Sequence, residues 1–309
     1  MSRIEPEGRK EGTGRAMFSV KEIEGAIPTI ELADSDAASR AVLAPARGGI
    51  LTGLTVGGRE LLYLDRATFD DRAANVRGGN PVLFPSPGKL AGDAWSAAGA
   101  AGQMRQHGFA RTLPWSLDDR GTLASGGAYA RLGLRSSEAT RAQYPWDFRA
   151  DFTYTLRGRA LRIDIRVTNE TGEGAPPMPF GVGFHPYFAV PQADKARASI
   201  ETRATRAFDN TTKREVPFSG IDLTGPEVDL HLLDHGATES ALAVEGEAGL
   251  RIAVRGSPEF THWVVWTLQG KDFVCLEPWT CPGDALNTGD RLIHLPSRQA
   301  RSLWVELSA

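Results

Sequence analysis

Leu161-Arg162-Ile163-Asp164-Ile165-Arg166-Val167-Thr168 alternates apolar and polar residues without a break. A helix would carry such residues to every side. A strand sends successive side chains to opposite faces, so this run has one buried face and one wet face. Phe148, Phe152, Tyr154 and Leu156 keep the same beat just upstream, and Gly158 between the two runs predicts a hairpin. Similar short runs occupy 50–56, 129–134, 250–254, 262–268 and 303–307, punctuated by Gly, Pro, Asn or Asp. Long helical periodicity is scarce, and only Arg66 to Ala74 reads as a short helix. The expected class is all-β, with many antiparallel strands in sandwiched sheets. No composition shift or clear repeat marks an internal boundary, so a single domain over 17–309 is the simplest organisation. Residues 1–16 are charged and Gly-rich with few large apolar groups, and are expected to form a disordered tail.

The 309 residues carry a formal charge of −3, so no basic excess asks for nucleic acid and no acidic excess for a basic partner. The start lacks the apolar stretch of a signal peptide, and no later run is long and apolar enough to span a bilayer. A cytoplasmic protein without membrane association is the expectation. Cys275 and Cys281 are too few for a disulfide framework and are expected to be reduced and structural. Asn169-Glu170-Thr171 and Asn210-Thr211-Thr212 match the glycosylation pattern, which without an export signal reads as chance. The sequence has no Gly-x-Ser-x-Gly elbow, no His-Glu-x-x-His motif, no P-loop and no dinucleotide fingerprint.

Three segments break the alternation and are dense in Gly, Pro, His and aromatic residues. The first is Arg77-Gly78-Gly79-Asn80-Pro81-Val82-Leu83-Phe84-Pro85-Ser86-Pro87-Gly88, followed by Gln106-His107-Gly108-Phe109-Ala110-Arg111. The second is Pro179-Phe180-Gly181-Val182-Gly183-Phe184-His185-Pro186-Tyr187-Phe188. The third is Leu276-Glu277-Pro278-Trp279-Thr280-Cys281-Pro282-Gly283-Asp284-Ala285-Leu286-Asn287-Thr288-Gly289. Each sets a polar or ionisable side chain among turn residues that fix the backbone or let it approach a ligand closely. Together they offer a carboxylate, two imidazoles, an arginine and several aromatic faces, the inventory of a sugar pocket.

These segments resemble the signature regions of the aldose 1-epimerase (galactose mutarotase-like) family: Arg-Gly-Gly-x-Pro-x-x-Phe-Pro, His-Gly-Phe-Ala-Arg, His-Pro-Tyr-Phe and a late Glu-Pro-Trp-Thr. They occur in the family's order from about Ala44 to the C-terminus. The resemblance implies a large antiparallel β-supersandwich and interconversion of sugar anomers with no metal or organic cofactor. It implies Glu277 as the base at the C1 hydroxyl and His185 as the acid at the ring oxygen, kept protonated by a nearby carboxylate. It implies that His107 and Arg77 hold hydroxyls, with an aspartate from the stretch between His185 and Glu277. Asp229 is the first choice for that role and Asp234 the second. Trp279 and Asn287 are expected to line the pocket.

His231, His235, His262 and His294 have no counterpart in the family pattern and are expected on the surface or in packing. His231 and His235 have a spacing that suits a metal on a helix, but their region reads as strand or turn, so no metal is expected. Arg111 and Lys89 are candidates to meet a phosphate. The expected partner is a small sugar or sugar phosphate; the composition and motifs leave the oligomeric state open. Two rivals stand beside this reading. One is a hexose-6-phosphate mutarotase with the same chemistry. The other is a non-catalytic carbohydrate-binding protein of the same fold, which would not need both His185 and Glu277. A cysteine nucleophile is not expected, because neither thiol has an evident base.

Overall fold

Phe148–Arg157 and Ala160–Asn169 pair antiparallel from Phe148↔Asn169 to Arg157↔Ala160, and Gly158 turns the chain between them at φ 58°. The computed structural model describes residues 17–246 and 249–309. The tail expected over 1–16 lies outside the described residues. In Ala160–Asn169 the residues Leu161, Ile163, Ile165 and Val167 are all buried, while Asp164 and Arg166 are exposed, as the alternation requires. Asn169 is buried as well: its amide donates to Leu295 O at 2.9 Å, and its side-chain oxygen accepts from Thr171 N. That bonding agrees with the chance reading of its glycosylation pattern.

This hairpin is central to an eight-stranded sheet. Its order is Ala198–Glu201, Glu239–Val244, Leu250–Gly256, Ala300–Ser308, Ala160–Asn169, Phe148–Arg157, Ala128–Arg135 and Ser116–Thr122. A second sheet runs Arg214–Pro217, Arg206–Asp209, Glu227–Leu232, His262–Leu268, Phe273–Trp279, Gly183–Phe184 and Val82–Leu83. Tyr187–Ala189 also pairs with Phe273–Trp279. The runs expected over 50–56 and 262–268 are the strands Ile50–Val56 and His262–Leu268. The other three extend by one to three residues at one or both ends.

The helix expected over 66–74 is only Arg66–Asp70. Asp65 caps its start by accepting from Thr68 N, and Asp71 has already returned to extended backbone. The buried Arg47 then holds the segment. Its guanidinium donates to the carbonyls of Thr68, Phe69, Asp71 and Ala74, so the backbone there bonds to a side chain instead of to a further turn.

One apolar cluster joins Leu32, from a five-stranded sheet over 18–60, to Phe84, Phe152, Ile165, Trp263, Leu276 and Leu307, and so draws on every large sheet. Phe152 contacts Trp115 edge-on at 5.0 Å and Phe184 at 6.0 Å, tying the first sheet to the second. All seven residues of Phe273–Trp279 are buried. Val274 and Leu276 belong to the main cluster, whereas Phe273, Cys275 and Trp279 pack into smaller clusters on the other face. Glu277 shares that second face by alternation. Among the described residues no helix is long and apolar enough to cross a membrane.

Candidate active site

The outward face of the second sheet collects the ionisable groups. Register places Val264 opposite Glu277 and His262 opposite Trp279. On the next strand His231 is opposite Val264 and Asp229 opposite Trp266. His185 enters directly after Gly183–Phe184, which sits against both Trp279 and Leu83. Gly183 has no room for a side chain: a Cβ there would come within 2.7 Å of the Trp279 ring. The result is a cleft of about 570 Å³ whose walls include Glu277, His185, His107, Arg77, Asp229 and Trp279. Six of the seven residues expected from the sequence therefore converge.

Glu277 is 1 % exposed. Its Oε1 lies 3.3 Å from His185 Nε2, and its Oε2 accepts from Trp279 Nε1–H at 3.2 Å. The His185 ring stacks on Tyr187, with centroids 4.7 Å apart and planes 13° apart, and its Nδ1 has no hydrogen-bond partner. Burial pushes the Glu277 carboxyl well above its ordinary range, reinforced by Asp229 and opposed by Trp279 and Arg111. Burial likewise pushes His185 down to about 3, with Arg111 acting in the same direction. The expectation that a carboxylate keeps His185 protonated is therefore corrected. Desolvation outweighs the neighbour, and burial favours the uncharged form of both groups, a carboxyl beside a neutral imidazole. The charged arrangement, carboxylate with imidazolium, holds the same number of protons, so the two residues share a single transferable proton.

His107 is pinned twice to Gly88: its backbone N–H donates to Gly88 O at 2.7 Å, and its ring Nδ1 accepts from Gly88 N–H at 3.0 Å. These bonds hold a non-glycine residue at φ 71°, at a cost on the order of 1–3 kcal/mol. They also fix the tautomer, because an accepting Nδ1 leaves the proton on Nε2. The Gln106 side chain, 3.2 Å from that Nε2, must then present its oxygen there. Arg77 rests 5.7 Å over the Trp266 ring, and Arg111 donates to Gln106 O at 2.9 Å. Lys89 completes a cationic rim. Among the described residues none of these three cations is paired with a carboxylate.

Asp229 lines the cleft and accepts from Asn210 Nδ2 at 2.6 Å. Asp234, the second choice, faces away and caps the backbone N–H groups of Thr205 and Arg206. Asn287 is the residue that does not join. Its oxygen accepts from Ser96 N, and its amide donates to Ala94 O and Asp284, so it ties the 94–97 strand to the late loop and makes no wall of the cleft. His231 and His262, expected in packing or on the surface, both line the cleft, whereas His235 bonds to Thr202 and Glu239 elsewhere. Alternation along Glu227–Leu232 was the available signal: if Asp229 faces the cleft, so does His231.

Donor atoms of His185, Cys275 and Glu277 lie within 4.8 Å of one another. Burial raises the proton affinity of the Cys275 thiol and the Glu277 carboxyl, and two guanidiniums border the same space. That setting opposes a divalent cation.

A family model described as aldose 1-epimerase matches residues 29–308. The Slr1438 protein of Synechocystis sp. PCC 6803 is 37 % identical, with a TM-score of 0.85 over 91 % of this chain and 94 % of that one. A galactose mutarotase-like protein of Clostridium acetobutylicum, 16 % identical, shares the fold with a TM-score of 0.77 over 94 % and 98 % of the two chains. A Salmonella typhimurium protein with the provisional name glucose-6-phosphate 1-epimerase is 29 % identical over 56 % of this chain, and the match spans about half, 52 %, of that protein's length. With the large antiparallel β-sandwich, the convergent cleft and a family match over nearly the whole length, the chain belongs to the aldose 1-epimerase family.

Proposed function

We propose that this protein interconverts the α and β anomers of an aldose by opening and reclosing the ring. The observation that carries the reading is the buried Glu277 carboxyl 3.3 Å from His185 in the wall of an open cleft. Mutarotation needs one proton taken from the C1 hydroxyl and one given to the ring oxygen, with no net change. A carboxyl–imidazole pair that shares one proton meets that requirement in either direction. Once the proton moves to His185, the Glu277 carboxylate takes the C1 hydroxyl proton while the imidazolium protonates the ring oxygen. The open aldehyde turns about C1–C2, and the transfers reverse. The Arg111 guanidinium supplies donors for charge that develops on oxygen, and His107 Nε2–H joins it once the sugar takes the place of the Gln106 oxygen. Trp279, Tyr187 and Trp266 offer faces for the C–H side of a pyranose.

A second reading, a phosphorylated aldose, is favoured by Arg77, Arg111 and Lys89, three cations in one cleft with no carboxylate partner among the described residues. A small sugar is the partner in either case, and we place the protein in the cytoplasm. Polarimetry on freshly dissolved α-glucose, α-galactose and their 6-phosphates tests the proposal. Faster relaxation than in buffer is expected, and the better-served set decides between free and phosphorylated substrate. A protein that binds a sugar but leaves every relaxation at the buffer rate is a binding protein, and the epimerase reading then fails.

A further inference from the structure

We infer that His231 is a dedicated hydroxyl-binding residue, locked as its Nε2–H tautomer by a relay from Arg291 through His262, and that with Asp229 it reads one non-anomeric hydroxyl of the sugar. The inference rests on the sugar-binding reading of the cleft but not on turnover.

The direction of the relay follows from its far end. A guanidinium can only donate. Arg291 Nη2 lies 3.2 Å from His262 Nδ1, so that nitrogen is the acceptor and the His262 proton sits on Nε2. His262 Nε2 is 2.8 Å from His231 Nδ1 and must donate to it. The remaining His231 proton is thereby placed on Nε2. Neither ring can reverse without breaking the contact with Arg291. A second proton is opposed by burial at both rings, and also by Lys213 at His231 and by Arg291 at His262.

His231 Nε2 stands 3.7 Å from Asp229 Oδ1, beyond a direct hydrogen bond. A sugar hydroxyl seated above the two atoms, at the apex of a triangle about 2.8 Å from each, can accept from the imidazole N–H and donate to the carboxylate. The other Asp229 oxygen is already engaged by Asn210. Register sets the pair two strands from Glu277, through Val264. At about 4.8 Å per strand this is roughly 10 Å of sheet, so a pyranose with its anomeric oxygen at Glu277 turns a different hydroxyl toward His231. His262 and Arg291 touch no sugar in this scheme; they are positioning residues.

The test has two arms. In ¹⁵N-labelled protein, imidazole nitrogen shifts at neutral pH are expected to show both rings as Nε2–H tautomers. Arg291→Met should let both rings exchange tautomers together, and Arg291→Lys should restore the lock. An Nδ1–H tautomer at either ring in the wild type overturns the relay. The second arm measures mutarotation of a monodeoxy-sugar panel. One member should lose about tenfold to a hundredfold in kcat/KM on the wild type, because it leaves His231 and Asp229 unpaired. His231→Phe should cause a similar loss on the parent sugar, chiefly through KM, and none on that member. An equal loss on every member overturns the hydroxyl assignment. If no sugar is turned over, the same panel is titrated calorimetrically. Selective binding then keeps this inference while the epimerase reading falls, and uniform or absent binding removes both.

Discussion

Glu277→Gln separates the chemistry of this site from its architecture. Burial favours the protonated form of Glu277, with Oε2 accepting from Trp279 at 3.2 Å and the other oxygen beside His185 at 3.3 Å. A glutamine amide keeps both contacts: its oxygen accepts from the indole, and its N–H donates to the imidazole. The folded state should therefore change by less than about 1 kcal/mol. The amide cannot carry a proton between the sugar and His185, so kcat should fall by about 10²–10⁴, equivalent to about 3–5 kcal/mol of barrier. Glu277→Ala is the contrast. It leaves the Trp279 N–H and His185 Nε2 without their partner in a buried wall and should cost about 2 kcal/mol or more in stability. Polarimetric relaxation and thermal melting of the three proteins give both quantities. Glu277→Gln keeping more than about a tenth of wild-type activity would refute the assignment of Glu277 to proton transfer. A melting temperature as low as that of Glu277→Ala would refute the claim that the carboxyl is neutral at rest.

Three further outcomes follow from the same geometry. The pH profile of kcat/KM should be a broad bell, failing on the acid side near the His185 value of about 3 and on the alkaline side well above the usual carboxylate range; an acid limb at 6.5 would mean His185 titrates as if solvated. Asp229→Asn should raise KM about tenfold, while Asp234→Asn, which removes only a backbone cap, should leave kcat/KM intact; the reverse result reverses the assignment. Stability should fall on acidification: His231 has its proton affinity lowered from 6.5 to about 4, so the unfolded chain binds a proton in that window and the folded chain does not. Its share, present above 6.5 and lost toward 4, is roughly 3 kcal/mol, and urea midpoints should decline less steeply in His231→Gln.

The all-β class was legible because one sheet face is buried and the other is wet, which writes itself into sequence as a period of two. Leu161 to Val167 carries that pattern cleanly, and His262–Leu268 was bounded at both ends. The candidate cleft was legible where its lining residues sit in Gly- and Pro-rich segments, as with His107, His185 and Glu277. It was less so where a cleft residue hides inside an ordinary strand. His231 and His262 occupy regular strand positions, and their role depends on which strands become neighbours, a long-range fact that no local pattern records. Asn287 failed for the opposite reason. It sits in a signature-like loop, but a short helical turn starting at Ala285 directs its amide to Ala94 and Ser96. The proton on Glu277 instead of His185 was hidden because it depends on burial depth, which composition near the motif does not report.

Phe273–Trp279 supplies the main apolar cluster with one set of its residues and the cleft with the other. Loss of a single residue within it would bring Leu276 or Pro278 to the sugar and drive Glu277 into hydrocarbon. The proposed catalysis and the folding of the core therefore depend on one register of the strand, so its length is fixed even where individual side chains are interchangeable. At the exposed turn just before it, an added side chain at Gly270 would meet no neighbour within 4 Å, yet the φ of 74° there still favours glycine, so the backbone and not the packing sets that position.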